Sequence, residues 1–151
     1  MNSPHNARMK NYQLPTIWPH LACKDVPAMM QFLESAFGFK ETVRSASEDD
    51  PSTVHHAEML WSQGGGIMLS TVGKDDTVFG RREPGRTLVY LVCSNPDELF
   101  EQATAAGAEV VQGLNTEDYG SRGFTVADRE GNLWSFGTYA GEAAQDAPPA
   151  G

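Results

Sequence analysis

Cysteine is scarce: of 151 residues only Cys23 and Cys93 are Cys, each ending a short apolar run. Two thiols so far apart form neither a disulfide scaffold of the secreted type nor the closely spaced clip of a structural zinc site, so both are expected as buried free thiols. Basic residues are also few, 11 Lys plus Arg against 20 Asp plus Glu, a formal charge of −9. A surface that tracks nucleic-acid phosphates needs clustered positive charge, so DNA and RNA are excluded as expected partners. Nowhere does the chain offer the roughly 20 consecutive apolar residues of a bilayer span. The start, MNSPHNARMKNYQLP, has no apolar stretch behind its basic residues, and the expected location is the cytoplasm, away from membranes. Hydrophobic residues at 40% are too many for wholesale disorder and suit one folded domain with a real core.

What is present is an internal repeat. LACKDVPAMMQFLESAFGF from Leu21 and LVCSNPDELFEQATAAGAE from Leu91 align at an offset of 70. Leu21 then meets Leu91, Cys23 meets Cys93 and Asp25 meets Asn95; after a one-residue slip Gly38 meets Gly107. Asp25 and Asn95 are expected helix caps, their side-chain oxygens taking an orphan backbone N–H, and Pro96 suits a first helical position. Val26, Met29, Met30, Leu33 and Phe37 follow helical spacing, as do Leu99, Phe100, Ala103 and Ala106, so each helix carries one apolar stripe to lay on a sheet.

Strand-like runs follow each helix: FKETVRS, VHHAEMLWS and GIMLSTV in the first half, then AEVVQG, YGSRGFTVAD and NLWSFGTY in the second. Gly64-Gly65-Gly66 and Arg129-Glu130-Gly131-Asn132 separate the last two runs of each half, as hairpin connections do. The pattern is βαβββ written twice, an α+β chain of two tandem modules. Module 1 spans about residues 16–72, a glycine-rich charged linker 73–86, and module 2 about 87–139, together one domain over 14–140. Residues 1–13 and 141–151 are polar or rich in Ala, Pro and Gly and are expected as disordered tails.

The doubled module, with AFGF closing the first helix and YGSRGFTVADREGNLWSFGTY ending the second half, resembles the vicinal oxygen chelate superfamily of glyoxalases, bleomycin resistance proteins and dioxygenases. The resemblance covers about residues 16 to 139. It implies two curled sheets forming an incomplete-barrel cleft, with the helices outside and a homodimer as the common assembly. Metal-dependent members place His or Glu at four inward strand positions. By the resemblance these fall on Trp18, Leu88, Ser135 and a residue within Ile67–Ser70, where no imidazole or carboxylate occurs. Indole, alkyl and hydroxyl groups are poor ligands for a divalent cation. The expectation is therefore a protein of the bleomycin-resistance branch with no metal or other cofactor that sequesters a small molecule, an antibiotic among the candidates, with the question of catalysis left open but leaning against it.

Strand alternation then nominates ligand-contacting residues. Trp18, His20 and Ala22 share one face; Leu88, Tyr90 and Val92 share the repeat-related one, with Tyr90 at the position of His20. Aromatic walls at Trp18 and Tyr90 suit a planar ligand, or alternatively plug the space of a lost metal. His56 and Glu58 share a strand face, with His55 opposite. With His20 they offer either a relocated catalytic or divalent-metal site of an enzyme, or a structural cross-strand pair. Thr125 and Ser135 are small residues facing a cavity, while Trp134 and Phe136 face a helix. Arg122 is placed either on an anionic ligand group or in a bridge to Asp128 or Glu130. Trp61 and Tyr119 are candidate rim residues. The excess acid favours a cationic or aromatic ligand.

Overall fold

The computed structural model describes residues 14–144. The tail 1–13 and most of the C-terminal tail lie outside the described residues, and 141–144 carry no helix or strand. Module 1 runs β1 (His20–Cys23), α1 (Val26–Phe37), β2 (Lys40–Ala46), β3 (Val54–Leu60) and β4 (Gly66–Thr71). Module 2 repeats it as β5 (Leu88–Val92), α2 (Pro96–Ala105), β6 (Glu109–Thr116), β7 (Arg122–Ala127) and β8 (Leu133–Gly137). Each makes a four-stranded mixed sheet, ordered β1-β4-β3-β2 and β5-β8-β7-β6. The first strand lies parallel to the last, and the other pairs are antiparallel hairpins. This is the expected α+β doubled module, with curled sheets and no closed barrel.

Helix α1 starts where Asp25 accepts a hydrogen bond from the Ala28 N–H at 3.1 Å. It stops at Gly38, whose φ of 83° is the left-handed conformation that a Cβ disfavours. Helix α2 departs from expectation: Asn95 makes no side-chain cap. Its amide oxygen instead accepts from Gln63 Nε2 at 3.0 Å, across the module boundary, while Pro96 leaves one fewer N–H to satisfy. The β6–β7 hairpin is also tighter than YGSRGFTVAD implied, because Tyr119–Ser121 form the turn and β7 starts only at Arg122.

The apolar stripes of both helices and the helix-facing residues of both sheets enter one core. Phe37 of α1 packs 5.3 Å from Trp134 and 4.9 Å from Phe136, both on β8. Phe39 and Trp61 close the same cluster against Trp134 and Phe136. Trp61, a candidate rim residue by sequence, is only 4% exposed and donates its indole N–H to the Phe37 carbonyl at 2.7 Å. Its place at the end of β3 puts it under the first helix's last turn, which corrects that expectation. Both cysteines are buried free thiols whose burial raises their pKa.

Two reciprocal clasps lock the modules. The Glu130 carboxylate, in the β7–β8 turn, accepts from the backbone N–H of Lys24 (2.7 Å) and Asp25 (3.0 Å) at the β1–α1 junction. Gln63, in the β3–β4 turn, accepts from Ser94 N at 3.3 Å at the β5–α2 junction, while its amide holds Asn95. Glu130 is aimed by buried Asp128, which accepts from the N–H groups of Glu130 and Asn132, the Asn132 amide and the Trp134 indole. The DREGN run is thus a hydrogen-bonded turn whose four donors occupy a carboxylate the core would otherwise penalise.

Trp134→Ala is expected to cost about 3–5 kcal/mol of unfolding free energy, as large aromatic truncations in cores do. Glu130→Ala, which removes two charge-assisted hydrogen bonds but little packing, is expected to cost about 2 kcal/mol. Urea denaturation followed by tryptophan fluorescence for Glu130→Ala, and by circular dichroism for Trp134→Ala, checks both values.

Candidate functional site

Because one face of each sheet is committed to the shared core, the opposite face of each looks outward. The candidate site residues accordingly fall into two groups. On module 1, β1, β3 and β4 bring His20, His56, Glu58 and Ser70 together. Register sets His20 beside Met68, and His56 beside Ser70. His20 Nε2 lies 2.6 Å from Ser70 Oγ, and His56 Nε2 lies 2.8 Å from Glu58 Oε2. The two imidazoles meet edge to face, 5.8 Å between centroids. Burial, then the positive charge of Arg82 and then His56, push the His20 pKa below its ordinary value of 6.5, keeping the ring neutral near neutral pH. Trp18, just ahead of β1, lays its ring over Gly66, where any Cβ would meet the indole edge at 2.7 Å.

On module 2, a shallow hollow of about 110 Å³ opens to solvent over β6, β7 and β8, lined by Tyr90, Gln112, Tyr119, Thr125, Ser135 and Tyr139 among others. Thr125 and Ser135 share a hydroxyl hydrogen bond of 3.0 Å. Tyr90 donates to the Tyr139 carbonyl at 2.7 Å and leans over Gly137, where a Cβ would meet its hydroxyl at 2.6 Å. Tyr119 and Tyr139 pack edge to face at 5.9 Å. Glu117 is the one charged side chain in the lining. Leu88 and Val92 flank Tyr90 and are exposed. Such a surface offers aromatic faces and neutral hydrogen-bonding groups, the ingredients of small-molecule pockets.

Arg122 bridges neither Asp128 nor Glu130 but a third carboxylate. Its guanidinium forks onto Asp97 of α2 at 2.8 and 3.1 Å and donates to Thr116 at 3.1 Å. Asp128 and Glu130 are occupied by their own turn and by the clasp. Sequence reasoning missed Ser70, Gln112 and Tyr139. Ser70 was legible as the inward residue two after Met68; Gln112 sits beside a register shift in β6 that breaks simple alternation.

The register also settles the fourth usual metal position. Met68 pairs with His20 as Ser135 pairs with Tyr90, so Met68 is the repeat counterpart of Ser135. The set is Trp18, Met68, Leu88 and Ser135, an indole, a thioether, an alkyl group and a hydroxyl, which does not fit a divalent cation. Among the described residues no three of His, Cys, Asp and Glu gather as a ligand set, His20, His56 and Glu58 included.

Comparison with known proteins supports the same architecture. The family model described as the Glyoxalase/Bleomycin resistance protein/Dioxygenase superfamily matches residues 16–136. The chain belongs to this superfamily. An uncharacterized protein of Mycobacterium bovis, Mb0911c, is 30% identical over 138 residues, covering 87% of this chain and 88% of that one. The crystal structure of TioX from Micromonospora sp. ML1 superposes with a TM-score of 0.68 at 32% identity, over 83% of this chain and 96% of that one. An integron cassette protein of Vibrio cholerae shares the fold with a TM-score of 0.61 at 18% identity, over 83% and 97%. Within this superfamily the fold hosts several chemistries, so the side chains of the two faces carry the functional reading. No helix among the described residues is long and apolar enough to cross a membrane.

His20 is expected to titrate below 6.5 in an NMR pH series. Since its folded pKa lies below its unfolded one, the unfolded chain binds the proton first, so this group's contribution to stability is full above 6.5 and declines as pH falls through that value. His20→Gln should flatten that part of the stability profile.

Proposed function

We propose that the protein is a metal-free small-molecule binder of the bleomycin-resistance type, which captures an aromatic or cationic compound, antibiotics included, and releases it chemically unchanged. One observation carries this reading: the four positions used for metal in the superfamily hold Trp18, Met68, Leu88 and Ser135, while the faces around them offer aromatic rings and neutral hydroxyls. Tyr90, Tyr119, Thr125 and Ser135 would grip the ligand's rings and polar edges, and Trp18, His20, His56 and Glu58 would meet it from the other module. The charge of −9 and Glu117 at the hollow's rim favour cationic ligands.

A homodimer fits the same geometry. Within one chain the two faces lie on opposite sides of a common core, so a ligand held between them takes module 1 from one copy and module 2 from another. Arg122, tied to Asp97, links β7 to α2. A cytoplasmic location is consistent with two free thiols.

Isothermal titration with bleomycin and with an anthracycline tests the reading, followed by mass spectrometry of the recovered compound. Binding with quantitative recovery is expected. Thr125→Leu, which fills the hollow without entering the core, should weaken it about tenfold or more, the order of one mispacked side chain in a binding pocket. Conversion of the compound, or a stoichiometric transition metal on elemental analysis, would overturn the reading in favour of an enzyme centred on His20, His56 and Glu58.

A further inference from the structure

The polar groups around the module 2 hollow are largely spent on one another. The Tyr90 hydroxyl donates to the Tyr139 carbonyl at 2.7 Å, and Ser121 Oγ accepts from the Tyr139 N–H at 3.2 Å. Thr125 is bonded to Ser135 at 3.0 Å, and the Asn115 amide donates to the Gly113 carbonyl at 2.9 Å. What the hollow chiefly leaves for a ligand is ring face and one carboxylate. Tyr119 and Tyr139 lie 5.9 Å apart between centroids with their planes at 82°, so two ring faces meet as a corner. Tyr90 stands beside them with its ring against Gly137, and all three rings line the hollow. They come from three separate places, β5, the β6–β7 turn and the segment after β8, which only the fold brings together.

Charge and size name the occupant. The lining holds Glu117 and no Lys or Arg. Asp118 follows Glu117 in the same turn, and Arg122, the cation at the start of β7, is forked onto Asp97 of α2. A negative carboxylate beside π-electron faces attracts a cation, and does so most effectively when the cation is weakly hydrated. An ammonium that carries N–H groups has to find acceptors as it leaves water, and most of those in the hollow are already engaged. A methylated ammonium asks for fewer or none, and its methyl groups pack on the rings. At about 110 Å³ the hollow is smaller than the roughly 300–1,000 Å³ of a drug-sized pocket, so it takes one compact head group while the rest of the compound lies outside.

We propose that the module 2 hollow is a recognition site for a methylated ammonium group, with Tyr90, Tyr119 and Tyr139 as its aromatic walls and Glu117 as its counter-charge. The inference rests on the small-molecule-binding reading above and names the ligand class that this hollow selects. Every residue it uses belongs to one chain, so the site is complete in a single copy. Tyr119 is its adjustable wall: at 71% exposed it has room to turn its face onto the bound cation. Glu117, at the edge, contributes through an attraction that salt screens.

The experiment titrates the full chain with choline and, separately, with its uncharged isostere in which a tert-butyl group replaces the trimethylammonium, following residue-resolved NMR signals. Choline is expected to move the signals of Tyr90, Tyr119 and Tyr139, and the isostere to bind about tenfold more weakly, the order of a desolvated cation–π contact. Tyr119→Leu should weaken choline binding about fivefold while Tyr119→Phe, which keeps the ring, retains it. Glu117→Gln should cost about threefold, and less at high salt. Both positions are exposed, and circular dichroism checks that the fold is kept. An isostere that binds as tightly as choline overturns the ammonium site. So does choline that leaves the three tyrosines unmoved while bleomycin or the anthracycline binds, and in that case the small-molecule reading stands. A chain that binds neither choline nor either drug overturns that reading, and the ammonium site with it.

Discussion

The aromatic core shared by the two modules is the constraint on which the rest depends. Neither βαβββ unit buries its helix-side face alone: Phe37 and Phe39 of module 1 need Trp134 and Phe136 of module 2 as packing partners, and Trp61 closes the gap between them. Dispersion among large, close-packed rings favours this arrangement, and water would otherwise meet most of their area. The clasps of Glu130 and Gln63 follow from the same geometry. Each module's hairpin turn lies over the other's strand–helix junction, where backbone N–H groups need acceptors.

That packing forces both polar faces outward, and they differ in chemistry. Module 1 presents imidazoles and a carboxylate, with His56 bonded to Glu58 and His20 to Ser70. Module 2 presents phenols, hydroxyls and amides around a hollow where small residues, Gly123 and Gly137, make room. Gly123 has no alternative, since a Cβ there would collide with the Phe136 carbonyl oxygen. Gly137 leaves space for the Tyr90 ring. Two surfaces built on one repeated pattern thus differ, one carrying imidazoles and a carboxylate, the other mainly phenols, hydroxyls and amides with Glu117 as its one charge.

Local rules made much of this legible. Asp25 and Gly38 bound α1 because capping chemistry acts within one turn of chain. Trp134 and Phe136 were assigned to the core because strand alternation leaves only one face for each side chain. The noncoordinating character of Trp18, Leu88 and Ser135 needed only residue identity at aligned positions. Asn95 failed as a cap because Gln63 of the other module claims its amide oxygen, and Trp61 as a rim residue because the Phe37 carbonyl takes its indole N–H under the first helix, contacts that no local pattern reveals.

The sequence by itself determined the doubled βαβββ order and the apolar stripes, because these follow from periodicity and residue type, while its resemblance to the superfamily is what marked Trp18, Leu88 and Ser135 as the usual metal positions without imidazole or carboxylate. Tertiary structure alone decided that His20 meets Ser70 while His56 meets Glu58, that Arg122 pairs with Asp97, and that the two faces look away from a common core. Those outcomes depend on strand register and on contacts made across long stretches of chain, where burial and geometry choose among partners that the sequence leaves equally available.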